Sequence, residues 1–237
     1  MKKSLLCFAV LSVSVPCWAN DKTAPTQPPR KGKTETIQLF NGKDLTGWEG
    51  YPDHWTVKDG EIIGKNTKPV PVSTYLVTQK KFTDFQLIFS AKLVESEMHS
   101  GIAFWGRVDP SKGKERSQYT YAGHLVMFPS DWGMYDLFGR NGLKVDGGPA
   151  KKVGKQHDWN DMEIFAQGNR VRLIVNGVLV VDWSDPEPQR IQEGPIGLQL
   201  HSNSVPQEVR YKGLKLTTFP DDKRLAGKKI GDRVDAK

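Results

Sequence analysis

The sequence predicts an all-β protein, a jelly-roll sandwich made of two antiparallel sheets. About a dozen segments alternate apolar and polar residues, which is the period of a half-buried β-strand. Glycine, proline and asparagine separate these segments at intervals of roughly 8 to 20 residues. No stretch sustains the apolar spacing of an amphipathic helix over three turns. These observations together favour one β-sandwich domain over residues 35–219.

The clearest local pattern lies in residues 158–183, DWNDMEIFAQGNRVRLIVNGVLVVDW. Asn176-Gly177 stands between two alternating apolar runs, and both residues tolerate the positive φ of a type I′ turn. Gly168-Asn169 supplies a second two-residue turn before that pair. The segment therefore predicts a three-stranded antiparallel meander.

The other predicted strands follow the same alternation along the chain. Asp59-Gly60 joins two of them as a hairpin, because this dipeptide also suits positive φ values. In order, the predicted segments are Ile37–Leu39, Trp55–Val57, Glu61–Ile63, Thr74–Thr78, Phe82–Leu93, Gly101–Val108, Gln118–Phe128, Met134–Phe138, Gly194–His201 and Glu208–Thr217.

Residues 1–19 have the features of a secretory signal peptide, with two N-terminal lysines, an apolar run and a small residue at Ala19. We expect cleavage before Asn20 and export to the periplasm or the extracellular space. The apolar run is too short to span a bilayer, so a membrane-spanning protein is not expected. Cys17 leaves a lipoprotein alternative open, although Pro16 is a poor fit to the cleavage site of lipoproteins. Both cysteines lie in this leader, which predicts a mature protein without disulfides.

Charge is distributed unevenly along the chain. Residues 20–34 are rich in proline and lysine and predict a tether, while residues 220–237 predict a charged mobile tail. The formal charge of +7 comes from the leader and these two segments, since residues 35–220 contain 22 basic and 22 acidic residues. A neutral body does not favour nucleic-acid binding.

Strand parity selects candidate site residues, because residues two apart share a face. Gln199 and His201 lie opposite an apolar row, and His124 lies opposite Tyr121 and Leu125. An exposed or hydrogen-bonded structural histidine is the alternative for each of the two histidines. Arg210 and Lys212 share a face of the last strand, where a solvated cationic face is the alternative.

Tryptophan offers platforms for the apolar faces of sugars, although most tryptophans of a sandwich belong to the core. Trp105 and Trp132 each neighbour a glycine, where backbone can approach a ligand, so these two are the candidates for a cleft. The common nucleotide, hydrolase and metal motifs are absent from the sequence. No spacing demands a metal or another cofactor, but a calcium ion held by loop carbonyls would leave no trace in the sequence.

Nine segments, in order, resemble the 3-keto-disaccharide hydrolase domain family. They are LFNGKDLTGW, HWTVKDGEIIG, FTDFQLIFSAKL, SGIAFW, WGMYDL, DWNDMEI, GNRVRLIVNGV, GPIGLQLH and YKGLKL, and the resemblance runs from about Ile37 to Leu216. The resemblance implies a concanavalin A-like jelly roll, a carbohydrate substrate and cleavage of 3-keto-glycosides. A ketone at C3 acidifies the C2 hydrogen, so such a site needs one base and one group that stabilises the enolate oxygen.

With this chemistry, His124 or His201 is the expected base and Lys212 with Gln199 the expected stabiliser of the enolate. Trp105 and Trp132 are expected to hold the sugar ring, and Arg210 to contribute to binding. Tyr135 and Asp136 match an aromatic-acid pair of the family and are expected to orient a sugar hydroxyl or a histidine. We expect His124, Gln199, His201 and Lys212 to face one common cleft.

The chain also departs from the family pattern. Ser90 stands where the family has glutamate, Trp105 where it has arginine, and His124 at or near an acidic position. These departures support an alternative function, a glycan-binding or cell-envelope interaction domain without catalysis. The oligomeric state is not indicated by the sequence.

Overall fold

The computed structural model of the protein describes residues 25–95, 99–110, 117–129, 132–140, 144–146 and 148–221. The predicted signal peptide, Cys17, residues 20–24 of the predicted tether and residues 222–237 of the predicted tail lie outside the described residues. In the part of the chain that is described, no helix is long and apolar enough to cross a membrane.

The described residues form fifteen strands, and most coincide with the segments that alternate in sequence. They are β1 (Thr36–Gln38), β2 (Trp48–Glu49), β3 (Trp55–Lys58), β4 (Glu61–Asn66), β5 (Thr74–Phe82), β6 (Phe85–Glu95), β7 (Ser100–Val108), β8 (Tyr121–Phe128), β9 (Gly133–Asp136), β10 (Lys144–Asp146), β11 (Asn160–Gln167), β12 (Arg170–Val175), β13 (Val178–Ser184), β14 (Gly194–Leu200) and β15 (Gln207–Thr218). Two short 3₁₀ helices cover Gly148–Lys152 and Pro188–Arg190.

These strands form two antiparallel sheets, as predicted. Sheet A has the order β13-β12-β11-β6-β15-β4-β3, with β1 paired to β15, and sheet B has the order β10-β9-β8-β7-β14-β5-β2. The predicted meander is the β11-β12-β13 edge of sheet A. The turn between β12 and β13 has positive φ at Asn176 and Gly177, and the turn between β3 and β4 has positive φ at Asp59 and Gly60.

The main core lies between the sheets and takes one face of each strand. From sheet A it receives residues such as Leu87, Ile164 and Leu173, and from sheet B residues such as Phe104 and Leu198. A second apolar cluster lies on the opposite, outer face of sheet B, formed by Tyr75, Val77, Ala103, Tyr121, Leu125 and Met127. Sheet B is therefore apolar on both faces, and its outer face is the one that carries the candidate site.

Residues 25–34 lie against the sandwich, although the sequence predicts a tether there. The Arg30 backbone N–H and guanidinium both donate to the carboxylate of buried Asp84, at 2.6 and 2.7 Å. The Gln27 N–H donates to the side-chain oxygen of Asn169 at 2.7 Å. Specific hydrogen bonds thus fix a segment whose composition offers little apolar surface for packing.

Candidate functional site

A groove crosses the outer face of sheet B, over strands β5, β7, β8, β9 and β14. Its floor is formed by small residues, because Gly197 of β14 pairs with Ala103 of β7 at the centre of the sheet. A Cβ at position 197 would lie 3.2 Å from the Tyr75 ring and 3.5 Å from the Tyr121 ring. Glycine at this position therefore lets the two tyrosines lie low on the sheet and leaves space beside them.

The larger part of this groove is a cavity of about 320 Å³ that we call the histidine compartment. Leu125 and Met127 form an apolar wall, and Tyr135 is 40% exposed. An apolar wall beside a few polar groups is the usual character of a small-ligand site. The lining residues are Ser73, His99, Leu125, Met127, Tyr135, Leu137, Gln199 and His201.

Gln199 presents an unsatisfied acceptor in this compartment. Its Nε2 donates to the Tyr75 hydroxyl at 3.2 Å, which fixes the amide orientation. The residue is 2% exposed, and its Oε1 has no hydrogen-bond partner among the residues that the structure describes. Burying an acceptor without a hydrogen bond costs about 1–3 kcal/mol of free energy. A hydroxyl group of a ligand that donates to this oxygen would remove that cost.

His201 is held in one tautomer at the same end of the compartment. Its Nδ1 lies 2.5 Å from the Ser202 carbonyl oxygen, and because a carbonyl can only accept, Nδ1 carries the hydrogen. Burial lowers the pKa of His201 below its ordinary value, and the hydrogen bond to Ser202 offsets this only in part. At neutral pH the ring is therefore uncharged, with the lone pair on Nε2.

His99 is a third polar residue of this compartment, and it is not among the site residues predicted from the sequence. Its ring centroid lies 4.3 Å from that of His201, in an edge-on arrangement. Parity alone would have placed His99 on the same face as Gly101 and Ala103 of β7. The sequence gives no sign, however, that β7 pairs with β14, and this pairing is what brings the two histidines together.

The prediction that four polar residues face one cleft is wrong for His124. Alternate residues of β8 point to opposite faces as predicted, but Tyr121 and Leu125 face the groove and His124 faces the interior, where it is 1% exposed. There its Nε2 lies 2.5 Å from Asp185 Oδ2. Aromatic rings of Phe104, Trp105, Phe138 and Trp183 surround it at centroid distances of 5.5 to 6.0 Å.

His124 and Asp185 belong to a buried charge cluster that also contains Arg140 and Asp136. Arg140 donates to Asp185 at 2.8 and 3.0 Å and to Asp136 at 2.9 Å. Burial opposes the ionisation of Asp185, but hydrogen bonds from His124 and Arg140 outweigh it and hold the pKa of Asp185 well below its usual range. Asp136, predicted to orient a sugar hydroxyl or a histidine, instead binds Arg140 opposite His124 in the register of β8 and β9. The arrangement ties β8, β9 and the segment after β13 together.

Trp105 and Trp132 both lie in the core, so the prediction that they hold a sugar in a cleft is not met. A β-bulge after Phe104 gives Trp105 a φ of +52° and turns its ring inward, where its Nε1 donates to the Thr83 carbonyl at 2.5 Å. The neighbouring Gly106 serves strand packing, since a Cβ there would lie 1.9 Å from the Ala122 carbonyl oxygen. Trp132 is 4% exposed and packs on Gly154.

Lys212 and Arg210 lie on the outer face of sheet A and do not reach the groove. Tyr211 between them points into the core, so parity places both cations on the opposite side of the sandwich from His201. The Lys212 ammonium sits 3.9 Å from the centroid of the Trp159 ring. Arg210 donates to Glu208 at 2.6 Å and to Glu61 at 3.2 Å.

The structure thus brings Gln199, His201 and Tyr135 of the predicted set together and adds His99 and Ser73. Ser73 Oγ accepts the Ser202 backbone N–H at 3.0 Å, so its own hydroxyl hydrogen can be donated. Among the described residues, no group of three or more His, Cys, Asp or Glu side chains could hold a metal ion. The arrangement offers a basic nitrogen, an acceptor and a donor at one end of an apolar groove.

Comparisons with known proteins bear on the family and the fold of the chain. Residues 35–217 match the sequence model of the 3-keto-alpha-glucoside-1,2-lyase-like domain family. The comparison with curated proteins gave no match.

Solved structures with the same fold include several carbohydrate-related proteins. A candidate glycosyl hydrolase from Parabacteroides distasonis ATCC 8503 is 20% identical, with a TM-score of 0.54 over 78% of this chain and 94% of its own. A prokaryotic β-1,3-1,4-glucanase from a mouse hindgut metagenome is 15% identical, with a TM-score of 0.52 over 80% of this chain and all of its own. A carbohydrate-binding module from Bacillus subtilis is 13% identical, with a TM-score of 0.50 over 71% and 94%. At these identities the likeness concerns the fold, and it confirms the predicted jelly roll.

Proposed function

The chain belongs to the 3-keto-alpha-glucoside-1,2-lyase-like domain family, and we propose that it cleaves 3-keto-glycosides in the groove of sheet B, with His201 as the base. The observation that carries this proposal is the tautomer of His201. Its Nδ1–H is held by the Ser202 carbonyl, which leaves Nε2 as an unprotonated nitrogen at the polar end of the histidine compartment. A base that stays neutral at working pH suits proton removal next to a ketone.

The proposed reaction is an elimination in which His201 acts as the base, followed by the addition of water. His201 Nε2 takes the proton from C2 of the sugar, and the electron pair of the broken C–H bond forms the enolate with the C3 ketone. The enolate then reforms the ketone as a C1=C2 double bond forms and the C1–O bond breaks. The aglycone oxygen takes the proton that His201 Nε2 had accepted and leaves as an alcohol, so the base returns to its neutral form. Water then adds across the C1=C2 double bond, with its oxygen on C1 and its hydrogen on C2.

Other groups of the compartment fit the remaining needs of this reaction. The Ser73 hydroxyl can donate to the enolate oxygen, a role predicted from the sequence for Lys212 with Gln199. Lys212 lies on the other sheet, and the Gln199 Nε2 donates to Tyr75. Gln199 Oε1, which none of the described residues binds, can accept a hydrogen bond from a sugar hydroxyl. Tyr135, exposed beside the apolar wall, can cover one face of the ring.

A second candidate function, glycan binding without catalysis, is favoured by the lining of the groove. None of the described lining residues of the histidine compartment is Asp or Glu, so the carboxylate pair of ordinary glycosidases is not found there. One of the structures with the same fold is a carbohydrate-binding module. Under this function the histidines and Gln199 would only bind sugar hydroxyls.

Proton exchange at C2 separates the two functions. The mature protein is incubated in D₂O with 3-keto-glucosides of both anomers, and deuterium at C2 and release of the aglycone are followed by NMR. Catalysis by His201 predicts both signals, and His201→Gln should lower the rate by about 10²-fold or more. His157→Gln, which changes an exposed histidine outside the groove, is the matched control. Binding without exchange or release would favour the second function.

We also propose that the protein acts after export, in the periplasm or outside the cell. This rests on the leader-like residues 1–19 alone.

A further inference from the structure

His99 and His201 form a cross-strand pair at the polar end of the histidine compartment. Strands β7 and β14 pair antiparallel, with Ala103 opposite Gly197. Continued to the residue before β7 and the residue after β14, this register places His99 directly opposite His201, on the same face of sheet B. Their ring centroids lie 4.3 Å apart, and both residues are half-buried. The compartment therefore presents two imidazoles, not one, to the same ligand.

The backbone of His99 is held in place from the core side. Its carbonyl oxygen accepts a hydrogen bond from Nε2 of Gln207, a fully buried residue, at 3.3 Å. Ser100, the next residue, donates to the Gln199 carbonyl at 2.7 Å. Because Gln199 lies two residues before His201, these contacts fix the spacing of the two histidines. Catalytic groups need such fixed spacing, because a misplacement of about 1 Å can cost on the order of 10²-fold in rate.

The surface beside the pair has room for a sugar. The register that pairs the two histidines places Gly101 opposite Gln199, and glycine puts no side chain over this part of the sheet. A Cβ at position 101 would lie 2.6 Å from Leu125 Cδ1, so glycine also leaves space for the apolar wall. C1 of the sugar is bonded to C2, so an atom that enters at C1 arrives next to the position that His201 serves. The second imidazole lies beside that position.

The addition of water calls for a base other than His201. His201 Nε2 takes the C2 proton and returns it to the aglycone oxygen, so it faces these two atoms while the aglycone departs. Water that attacks C1 before the aglycone has left must lose its proton to a group at another position. Among the described lining residues, His99 is the other imidazole, while Ser73, Tyr135 and Gln199 are much weaker bases at neutral pH. A histidine that is hydrogen-bonded at one ring nitrogen acts as a base through the other.

Resting on the proposed function, we propose that His99 is a second catalytic residue, the base that activates water for its addition at C1. His99 takes one proton from the water as the water oxygen bonds to C1, and the electron pair of the C1=C2 double bond moves to form the enolate with the C3 ketone. The enolate reforms the ketone as C2 takes the proton from His99. The other hydrogen of the water stays on the new C1 hydroxyl, so the product is the free 3-keto sugar.

The substitution His99→Gln tests this role, because it keeps a polar side chain but removes the base. The mature protein is incubated with 3-keto-glucosides, and NMR follows the aglycone, the unsaturated sugar and 3-keto-glucose. We expect aglycone release within about threefold of wild type and hydration slower by about 10²-fold or more, so that the unsaturated sugar accumulates. Retained release also shows that the variant is folded. His157→Gln, at an exposed histidine outside the groove, should form 3-keto-glucose as wild type does.

The unsaturated sugar, supplied directly, separates hydration from elimination. Wild type should hydrate it about 10²-fold faster than His99→Gln does. This result in a protein that releases no aglycone supports the role of His99 while contradicting the proposed cleavage by His201. A wild type that releases the aglycone but leaves the sugar unsaturated has the opposite meaning, and a wild type that does neither contradicts both.

Two results with the variant overturn the inference. Formation of 3-keto-glucose by His99→Gln at the wild-type rate would mean that His201 alone handles the water. An equal loss of release and hydration would mean that His99 only positions the His201 ring. The ratio of the two products therefore distinguishes a catalytic role of His99 from a structural one.

Discussion

Arg140 of the buried charge cluster allows a sharp test of what holds the β8-β9 end of the sandwich together. The substitution Arg140→Met keeps much of the length and apolar volume of the side chain but removes the guanidinium. It leaves the carboxylates of Asp136 and Asp185, whose side chains are 1% and 0% exposed, without their cation. An unpaired buried charge is among the most destabilising defects that one substitution can create.

The structure sets the size of the expected effect. Removing one partner of a buried ion pair costs about 3–5 kcal/mol. Both carboxylates keep other donors, since the backbone N–H of residue 140 binds Asp136 at 2.7 Å and that of Glu187 binds Asp185 at 2.7 Å. We therefore expect the lower end, about 3 kcal/mol, which lowers the Tm of a domain of this size by about 6–12 °C.

Arg170→Met is the matched control. Arg170 also binds an aspartate with two hydrogen bonds, to Asp182 at 2.6 Å each, but these side chains are 36% and 38% exposed. An exposed pair contributes about 0–1 kcal/mol, so the control should lose at most a few degrees. Thermal and urea unfolding of both variants, followed by circular dichroism, give the comparison. Equal losses in the two variants would refute the view that burial makes the Arg140 contacts important.

The pH dependence gives a second readout of the same variant. A carboxyl group whose pKa is lowered by folding contributes stability above its unfolded pKa, about 3.9 for Asp, and loses it as pH falls through the folded value. Asp185 is such a group, because His124 and Arg140 hold its pKa down against the effect of burial. The gap between wild type and Arg140→Met should therefore be largest near pH 7 and shrink below about pH 4.

Three further predictions follow from single contacts. Burial keeps the pKa of His201 below 6.5, so kcat/KM on 3-keto-glucosides should be independent of pH near neutrality and should fall only below pH 6.5. A decline that begins above about pH 7 would contradict His201 as the base. Lys212→Met should leave kcat/KM within about twofold of wild type, since the ammonium lies over Trp159 on the other sheet, and a loss of 10²-fold would restore its predicted catalytic role. Arg30→Ala should destabilise the fold by about 2–3 kcal/mol in urea unfolding, because it removes a donor from buried Asp84, whereas Lys33→Ala, at an exposed pair with Glu35, should change stability little.

The fold could be predicted from the sequence where neighbouring residues determine the backbone geometry. Asn176-Gly177 and Asp59-Gly60 form turns with positive φ because few other residues accept that conformation. The meander then follows from alternation on either side of its turns. The position of residues 25–34 could not be predicted from a local pattern, because their contacts are hydrogen bonds to Asp84 and Asn169, which are distant in the sequence.

The sequence did not predict which face of β8 points to the core and which to the groove. Parity correctly separates His124 from Leu125, but both rows of this strand are apolar, and alternation cannot tell which row meets the other sheet. The core takes Val126 and Phe128, while Leu125 and Met127 line the groove. His124 entered the interior because Asp185, from a segment 61 residues away, provides its partner there.

Two other site predictions failed because they depended on how the strands pair, which the local sequence pattern does not determine. The bulge at Trp105 reverses the face that parity assigns, and it depends on the close approach of β8 to Gly106. Lys212 lies on the polar side of its strand as predicted, but parity does not say which of the two sheets a strand joins. Gln199 and His201 were placed correctly relative to each other because they share one strand segment.

The groove and the core are not independent parts of this molecule. Tyr211 extends from sheet A through the interior, and its hydroxyl lies 3.2 Å from the Gln199 carbonyl oxygen of sheet B and 2.8 Å from Ser100 Oγ. Ser100 also donates to the same carbonyl at 2.7 Å. The backbone that carries Gln199, whose side-chain oxygen lacks a partner among the described residues, is thus held from the core side by two buried hydroxyl groups. Because the position of the Gln199 side-chain amide would decide which hydroxyl of the proposed sugar ligand it can bind, the proposed polar end of the groove depends on contacts between the sheets that lie behind it.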